Sequence, residues 1–234
     1  MLRILLLGGP QNGLVSMPRK KRSYTRTTEV RDANLYVIST EGGVTEPAYF
    51  EELISKDWYP NSRVHVKCLP TKNGLSSPSA VLKRLDTFKK EFQIKQDDEL
   101  WVVIDRDYQS WNVKELSEVK QKCKQKSFSI ALSNPSFEFW LILHCPNVEL
   151  EDKKVLQEYH VNKKDKTKNG ITYCESVLSE KLGSYSKTKP NFKEILPNVK
   201  LAIERGKVIT PEGKVNLFDN LGTDVYVLVE KLLY

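Results

Sequence analysis

The chain has 234 residues, of which 39% are hydrophobic and 29% charged, and its net charge is +7. This composition is typical of a folded protein with enough apolar material for a core, and it argues against a disordered chain. No apolar run approaches the roughly 20 residues that a membrane-spanning helix requires, so no membrane association is expected. The four cysteines lie far apart without a C-x-x-C pair, which argues against zinc or a disulfide scaffold and favours a cytoplasmic location.

The N-terminal segment is basic. Six basic and two acidic residues lie between positions 17 and 32, and we expect residues 1–32 to form a flexible tail ahead of the folded domain. Residues 1–16 precede Met17, a more natural-looking start, and are expected to lie outside the fold. Basic tails contact nucleic-acid backbones or simply keep a protein soluble, and the charge does not decide between these roles. The candidates for backbone contact are Arg19, Lys20, Lys21 and Arg22.

Residues 33–147 alternate between strand-like and helix-like patterns. The third predicted strand begins with the apolar run Trp101-Val102-Val103-Ile104, which is typical of a strand buried on both faces. Each predicted strand is followed by an apolar stripe at helical spacing or by a strongly apolar helix. The order β-α-β-α-β-α-β-α predicts an α/β domain with a parallel sheet, flanking helices and right-handed crossovers. The strands are expected at residues 34–40, 63–69, 101–105 and 127–132.

The turn after the first predicted strand contains Glu41, Gly42 and Gly43. Glycines permit backbone conformations that other residues avoid, so the chain can turn sharply there and pass close to a ligand. Thr45 is predicted to cap the next helix, and Pro47 suits the first turn of that helix.

Residues 148–234 form a mainly helical C-terminal region in this interpretation. No strand pattern of comparable strength occurs there, and a lysine-rich loop is predicted at 163–168. Such loops are most often solvated, but Lys163 and Lys164 are candidates for contact with a nucleic-acid backbone. The helices are expected at about 170–182, 191–205 and 219–233.

Carboxylates follow two of the predicted strands. Glu41 comes after the first strand, and Asp105 and Asp107 come after the third. Glu138, in the helix after the fourth strand, and Glu46, at the start of the first helix, are expected near the same edge. The carboxyl ends of parallel strands form the edge where ligands bind in open α/β sheets. Hard oxygen donors suit Mg²⁺ or Mn²⁺ rather than zinc, and such a site can support phosphodiester hydrolysis.

Each carboxylate also has a structural explanation. An isolated Asp-x-Asp pair is usually a solvated turn. Glu46 could simply place negative charge at a helix N-terminus. Glu138 lies on an otherwise apolar helix, where a buried carboxylate needs a partner and could form a structural salt bridge. Arg106 is expected to form a structural ion pair.

Three segments carry a resemblance to a known family. Residues 40–50 (TEGGVTEPAYF), 104–107 (IDRD) and 133–144 (SNPSFEFWLILH) resemble the three blocks of the RloB/AbiLii family. A glutamate after the first strand and an Asp-x-Asp after a later one are also similar to the Toprim domain of topoisomerases, primases and overcoming-lysogenisation-defect nucleases. The resemblance covers roughly residues 34–234 and implies a Toprim-like sheet.

The resemblance implies roles for individual residues. Glu41 would act as the general acid/base or as a metal ligand, Asp105 and Asp107 would hold Mg²⁺, and Glu46 could serve a second ion. Gly42 and Thr45 would support this turn.

The family's third block has the least defined role. Glu138 would join the catalytic set, with Asn134 orienting the turn before it.

The implied activity is that of a Mg²⁺-dependent nuclease of an antiviral defence or abortive-infection system. The substrate would be DNA or RNA, with tRNA as one candidate, and the partner would be an ATPase of the AbiLi/RloA type. The alternative is a non-catalytic, metal-dependent nucleic-acid-binding or regulatory subunit of that ATPase. The chain has no Gly-x-x-x-x-Gly-Lys-Ser/Thr loop of its own, so ATP hydrolysis would belong to the partner. A toxin that acts only after release is a third possibility.

Overall fold

The computed structural model of the protein describes residues 20–24, 33–71, 76–107, 112–168 and 170–234. The fold is α/β, with one five-stranded sheet, flanking helices and a helix-rich C-terminal part. The strands are β1 (Asn34–Thr40), β2 (Val64–Leu69), β3 (Glu99–Asp105), β4 (Ser129–Asn134), β5 (Lys164–Asp165), β6 (Ile171–Thr172) and β7 (Gly222–Thr223). The helices are α1 (Thr45–Leu53), α2 (Pro78–Glu91), α3 (Val113–Lys126), α4 (Phe137–Ile142), α5 (Lys153–Val161), α6 (Tyr173–Lys181), α7 (Val199–Ile209) and α8 (Val225–Leu233).

The main sheet has the order β2-β1-β3-β4-β7. The first four strands are parallel, as the alternating pattern predicted. Their register pairs Thr40 with Val103, and Asp105 with Ser133. The carboxyl ends of β1, β3 and β4 therefore lie side by side at one edge of the sheet.

Two apolar cores lie on opposite faces of the sheet. The first contains α1, α4, α6, α7 and α8, and the second lies under α2 and α3. Strand β3 contributes to both, because Trp101 and Val103 point into the first core and Val102 and Ile104 into the second. Its unbroken apolar run thus reflects burial on two faces, as predicted.

The C-terminal part contains short elements that the sequence patterns did not indicate. The predicted loop 163–168 contains β5, which pairs with β6 as a small antiparallel hairpin. Strand β7 pairs antiparallel with β4 at the edge of the main sheet. Helix α5 was also missed, because only Tyr159 on it is buried and its remaining surface is largely polar.

The prediction that Thr45 caps α1 was wrong. Helix α1 begins at Thr45 itself, and Val44 occupies the capping position without a side-chain cap. The Thr45 hydroxyl instead donates a hydrogen bond to the carbonyl oxygen of Lys187 at 3.1 Å. The side chain therefore ties the start of α1 to the C-terminal part of the chain.

Residues 20–24 of the basic tail lie against the end of α2. The Arg22 N–H donates to the Glu91 carbonyl at 2.8 Å, and the Gln93 N–H donates to the Arg22 carbonyl at 2.9 Å. The Tyr24 ring packs on Phe88 and Phe92. Since α2 leads back to the start of β3, this contact lies at the edge opposite the carboxyl ends of the strands. No helix in the described part of the chain is long and apolar enough to cross a membrane.

Candidate functional site

A cleft of about 460 Å³ opens at the carboxyl ends of β1 and β3. It contains all five carboxylates that the sequence singled out, together with Gly42 and Thr45. Lys164 and Lys187 line it as well and contribute positive charge. Five segments distant in sequence therefore contribute these residues to one cavity. The five carboxylates are Glu41, Glu46, Asp105, Asp107 and Glu138.

Glu41 and Asp105 meet across neighbouring strands. The Glu41 N–H donates to the Val103 carbonyl at 2.9 Å, which continues the β1–β3 ladder beyond the end of β1. The Glu41 Oε2 atom accepts a hydrogen bond from the Asp105 N–H at 3.1 Å, although 64 residues separate the two. The parallel arrangement of β1 and β3 produces this proximity.

Strand β3 ends at Asp105, so the chain is free to leave strand geometry before Asp107. Both aspartates line the cleft. Arg106 between them is buried and points elsewhere, because its Nε atom donates to the Phe218 carbonyl at 2.9 Å. The Asp107 N–H donates to the Pro135 carbonyl at 3.2 Å and thereby joins this loop to the segment after β4.

Gly42 leaves room for the close approach of the Glu46 carboxylate. The Glu46 Oε1 atom accepts a hydrogen bond from the Gly42 N–H at 2.9 Å. A Cβ atom at residue 42 would lie 2.1 Å from Glu46 Oε2. The expectation of an unusual backbone conformation was wrong, because Gly42 and Gly43 are not among the residues with positive φ.

The carboxylates repel one another. Burial raises the pKa of Glu46 to about 7, with Glu138 and Glu41 adding to the shift and backbone hydrogen bonds opposing it. Burial also raises the pKa of Asp105 well above its usual range, and the charges of Glu41, Glu46 and Glu138 raise it further. Lys187 acts in the opposite direction on Asp105. These two carboxyl groups are therefore harder to ionise than exposed ones, and a bound cation would favour their charged forms.

Glu138 is 3% exposed and is held by three donors. Its Oε2 atom accepts from the Ser136 hydroxyl at 2.7 Å. Its Oε1 atom accepts from the Tyr185 hydroxyl at 3.1 Å and forms an ion pair with Lys187 Nζ at 3.1 Å. Glu138 therefore both lines the cleft and forms the salt bridge considered as its structural explanation.

Lys187 also pairs with Glu175 Oε1 at 3.1 Å. Burial alone would lower the pKa of Lys187, but Glu138 and Glu175 raise it above its usual range, so the ammonium group keeps its charge. Sequence reasoning missed Glu175, Tyr185 and Lys187. Thr172 and Glu175 form a capping box at the start of α6, but nothing in the sequence indicated that Glu175 contacts Lys187.

The remaining sequence candidates lie in different places. Lys163 and Lys164 line a neighbouring cavity of about 700 Å³, and Lys164 also reaches the acidic cleft. Asn134 is buried outside the cleft, where its Nδ2 atom donates to the Leu217 carbonyl at 2.9 Å. Lys20, Lys21 and Arg22 belong to the segment at the opposite edge of the sheet, and Arg19 lies outside the described residues.

The donor set of the cleft fits a hard divalent cation. It consists of buried carboxylates whose mutual repulsion a cation would relieve. Among the described residues, no three Asp, Glu, His or Cys side chains already surround one ion position. The carboxylates of Glu41, Glu46 and Glu138 turn instead toward N–H and O–H donors. Ion binding would therefore require some of these side chains to rotate.

The fold and the cleft define an α/β protein with an acidic site at the carboxyl edge of its sheet. A family model described as RloB-like protein matches residues 36–232. The chain therefore belongs to the RloB-like family. Comparisons with curated proteins and with solved structures found no match.

Proposed function

We propose that this protein is a Mg²⁺- or Mn²⁺-dependent nuclease that hydrolyses phosphodiester bonds of DNA or RNA. In this proposal it has a Toprim-type site and serves antiviral defence, with an ATPase of the AbiLi/RloA type as partner. The observation that carries the proposal is the contact between Glu41 and Asp105 inside a cleft that also contains Glu46, Asp107 and Glu138. Oxygen-rich clefts of this kind suit hard divalent cations and phosphoryl chemistry.

The acids have separate roles in the proposed reaction. Asp105, the last residue of β3, and Asp107 just beyond it would hold the cation together with Glu41 or Glu46. When bound, the cation would supply Lewis-acid polarisation of the phosphoryl group and charge stabilisation for the leaving oxygen. Glu41 is adjacent to Asp105 and can accept the proton of an attacking water.

Basic residues at the cleft supply the phosphate contacts. Lys187 and Lys164 line the same cavity as the acids. A phosphate beside the carboxylates would therefore meet positive charge on the C-terminal side of the cleft. Lys163 and Lys166 extend this charge into the neighbouring cavity.

Cleavage assays test the proposal. Plasmid, single-stranded DNA, RNA and tRNA are incubated with Mg²⁺ or Mn²⁺ and the unchanged protein, Asp105→Asn, Glu41→Gln or Glu118→Gln. Each cleft substitution is expected to lower the rate by about 10²-fold or more, because each removes a group used in the reaction. Glu118, which is exposed on α3, is the matched control and should be neutral. Cleavage that survives both cleft substitutions contradicts the proposal.

The second candidate function is that of a non-catalytic regulatory subunit. The supporting observation is that the cleft carboxylates already accept hydrogen bonds from protein groups. A general base must be available to accept a proton, whereas a site that only binds does not need such a group. The protein would then bind nucleic acid in a metal-dependent way and control its partner ATPase. Metal binding without cleavage of any substrate, with and without the partner, favours this alternative.

A further inference from the structure

Lys187 is the cation that the chain itself places among the cleft carboxylates. Its ammonium group lies 3.1 Å from Glu138 Oε1 and 3.1 Å from Glu175 Oε1. These glutamates come from α4 and α6. A lysine bound between two carboxylates supplies a fixed positive charge where a metal ion could otherwise bind.

Three further contacts hold this arrangement in place. The Thr45 hydroxyl, at the start of α1, donates to the carbonyl oxygen of Lys187 at 3.1 Å. The Tyr185 hydroxyl donates to the same Glu138 oxygen that Lys187 contacts, at 3.1 Å. Glu175 is fixed by its own capping box, in which Oε2 accepts from the Thr172 N–H at 2.6 Å. The segment carrying Lys187 is therefore attached to three helices, unlike a lone surface ion pair.

The cleft carboxylates have different partners. The carboxylates of Glu41 and Glu46 accept hydrogen bonds from the N–H groups of Asp105 and Gly42. Glu138 instead pairs with the Lys187 ammonium group and also receives hydrogen bonds from two hydroxyl groups. A divalent cation at Glu138 would have to displace the ammonium group, since cations compete for the same carboxylate oxygen.

We propose that Lys187 substitutes for a second divalent cation at Glu138, so that the site binds one ion, held by Asp105 with Glu41 or Glu46. The inference rests on the proposed function and specifies its metal content. Glu138 then acts as a positioning residue that holds Lys187, and the ammonium group faces the cleft where a phosphate would bind. The charge that two-metal sites obtain from a second ion is supplied here by the chain.

Counting bound Mn²⁺ tests the inference without any measurement of activity. Free Mn²⁺ is titrated into the full chain and followed by electron paramagnetic resonance. The unchanged protein is expected to bind one ion. Lys187→Met keeps the length of the side chain but removes the charge, and this variant is expected to bind two ions. Lys187→Arg keeps the charge and should bind one.

A double variant identifies the location of the second ion. Lys187→Met combined with Glu138→Gln removes the carboxylate that the ammonium group had occupied, so the count should return to one. Two ions on the unchanged protein, or one on Lys187→Met, contradict the substitution by Lys187 and leave the proposed metal site standing. No bound ion on the unchanged protein contradicts the proposed function as well. If Lys187→Met does not fold, Lys187→Gln, which also removes the charge, takes its place and is expected to bind two ions.

Discussion

At the scale of single residues, the cleft depends on the fit between Gly42 and Glu46. Glu46 is 6% exposed and its carboxylate lies against the glycine. The hydrogen bond from the Gly42 N–H fixes the side chain at the mouth of the turn. The sequence indicated that the glycine serves a sharp turn of the backbone. It did not indicate that the glycine makes room for the Glu46 side chain.

Gly42→Ala is expected to weaken Mn²⁺ binding about tenfold. The added methyl group would lie 2.1 Å from Glu46 Oε2, so the carboxylate must leave its place in the cleft, and an ion that uses this carboxylate loses about 1–2 kcal/mol of binding free energy. Gly43→Ala is the matched control, because a Cβ atom there meets Thr71 at an ordinary 3.5 Å. Isothermal titration of both variants measures the difference. Equal affinities would show that the position of Glu46 does not matter for the ion.

The raised pKa of Glu46 makes the stability of the metal-free protein depend on pH. The folded state holds the Glu46 proton up to its raised pKa of about 7, whereas the unfolded chain releases it near the ordinary glutamate pKa of 4.5. The folded state therefore binds more protons in this interval, and this contribution to stability is full below pH 4.5 and lost as the pH rises toward 7.

Glu46→Gln is accordingly expected to stabilise the metal-free protein at pH 8, by about 1–3 kcal/mol in the free energy of unfolding. The same variant should show a flatter pH dependence between pH 4.5 and 7. Urea unfolding across this range measures both effects, with Glu51→Gln on the exposed side of α1 as control. A destabilised variant at pH 8 would mean that the Glu46 charge is already compensated.

At the scale of elements, the sequence predicted the strands and helices that are long enough to show a hydrophobic pattern. The apolar runs of β1 to β4 and the stripes of α1, α2 and α3 locate the sheet, and the parallel topology then brings Glu41 to Asp105. Strands of two residues, such as β5, β6 and β7, are too short to carry a pattern. The contact of Thr45 with Lys187 joins residues 142 positions apart, and no local signal encodes it.

The basic tail and the lysine-rich segment at residues 163–168 lie in different parts of the fold. The β5–β6 hairpin brings Lys164 to the acidic cleft. The tail segment at residues 20–24 lies beside the end of α2, at the opposite edge of the sheet. One short nucleic acid at the cleft can therefore use the hairpin without reaching the tail.

Lys164→Gln is expected to weaken nucleic-acid binding more than Lys20→Gln does. Losing one phosphate contact should lower the salt dependence of binding by about 0.9 in the slope of log K against log salt. Fluorescence anisotropy with a short oligonucleotide and the inactive Asp105→Asn background measures the slope. If Lys20→Gln lowers the slope and Lys164→Gln does not, the nucleic acid binds on the side of the tail instead, which contradicts the prediction.

At the scale of the whole molecule, the C-terminal part completes the site. It supplies Lys164, Glu175 and Lys187, and β7 extends the main sheet beside β4. Helix α8 shares the apolar core with α4. The acids of the cleft come from the βα half of the chain and its fixed positive charge comes from the remainder. The order of the predicted strands indicated where the acids lie, but nothing in the sequence indicated that Lys187 lies beside them.

A crystal structure with Mn²⁺ tests the central claim most directly, because the anomalous signal of the metal locates it without reference to any activity. The account predicts an ion within direct ligation distance of Asp105 and at least one of Glu41 and Glu46. It also predicts that Lys187 remains bound to Glu138. An ion located away from these carboxylates, or a cleft that stays free of metal at saturating Mn²⁺, would contradict the account.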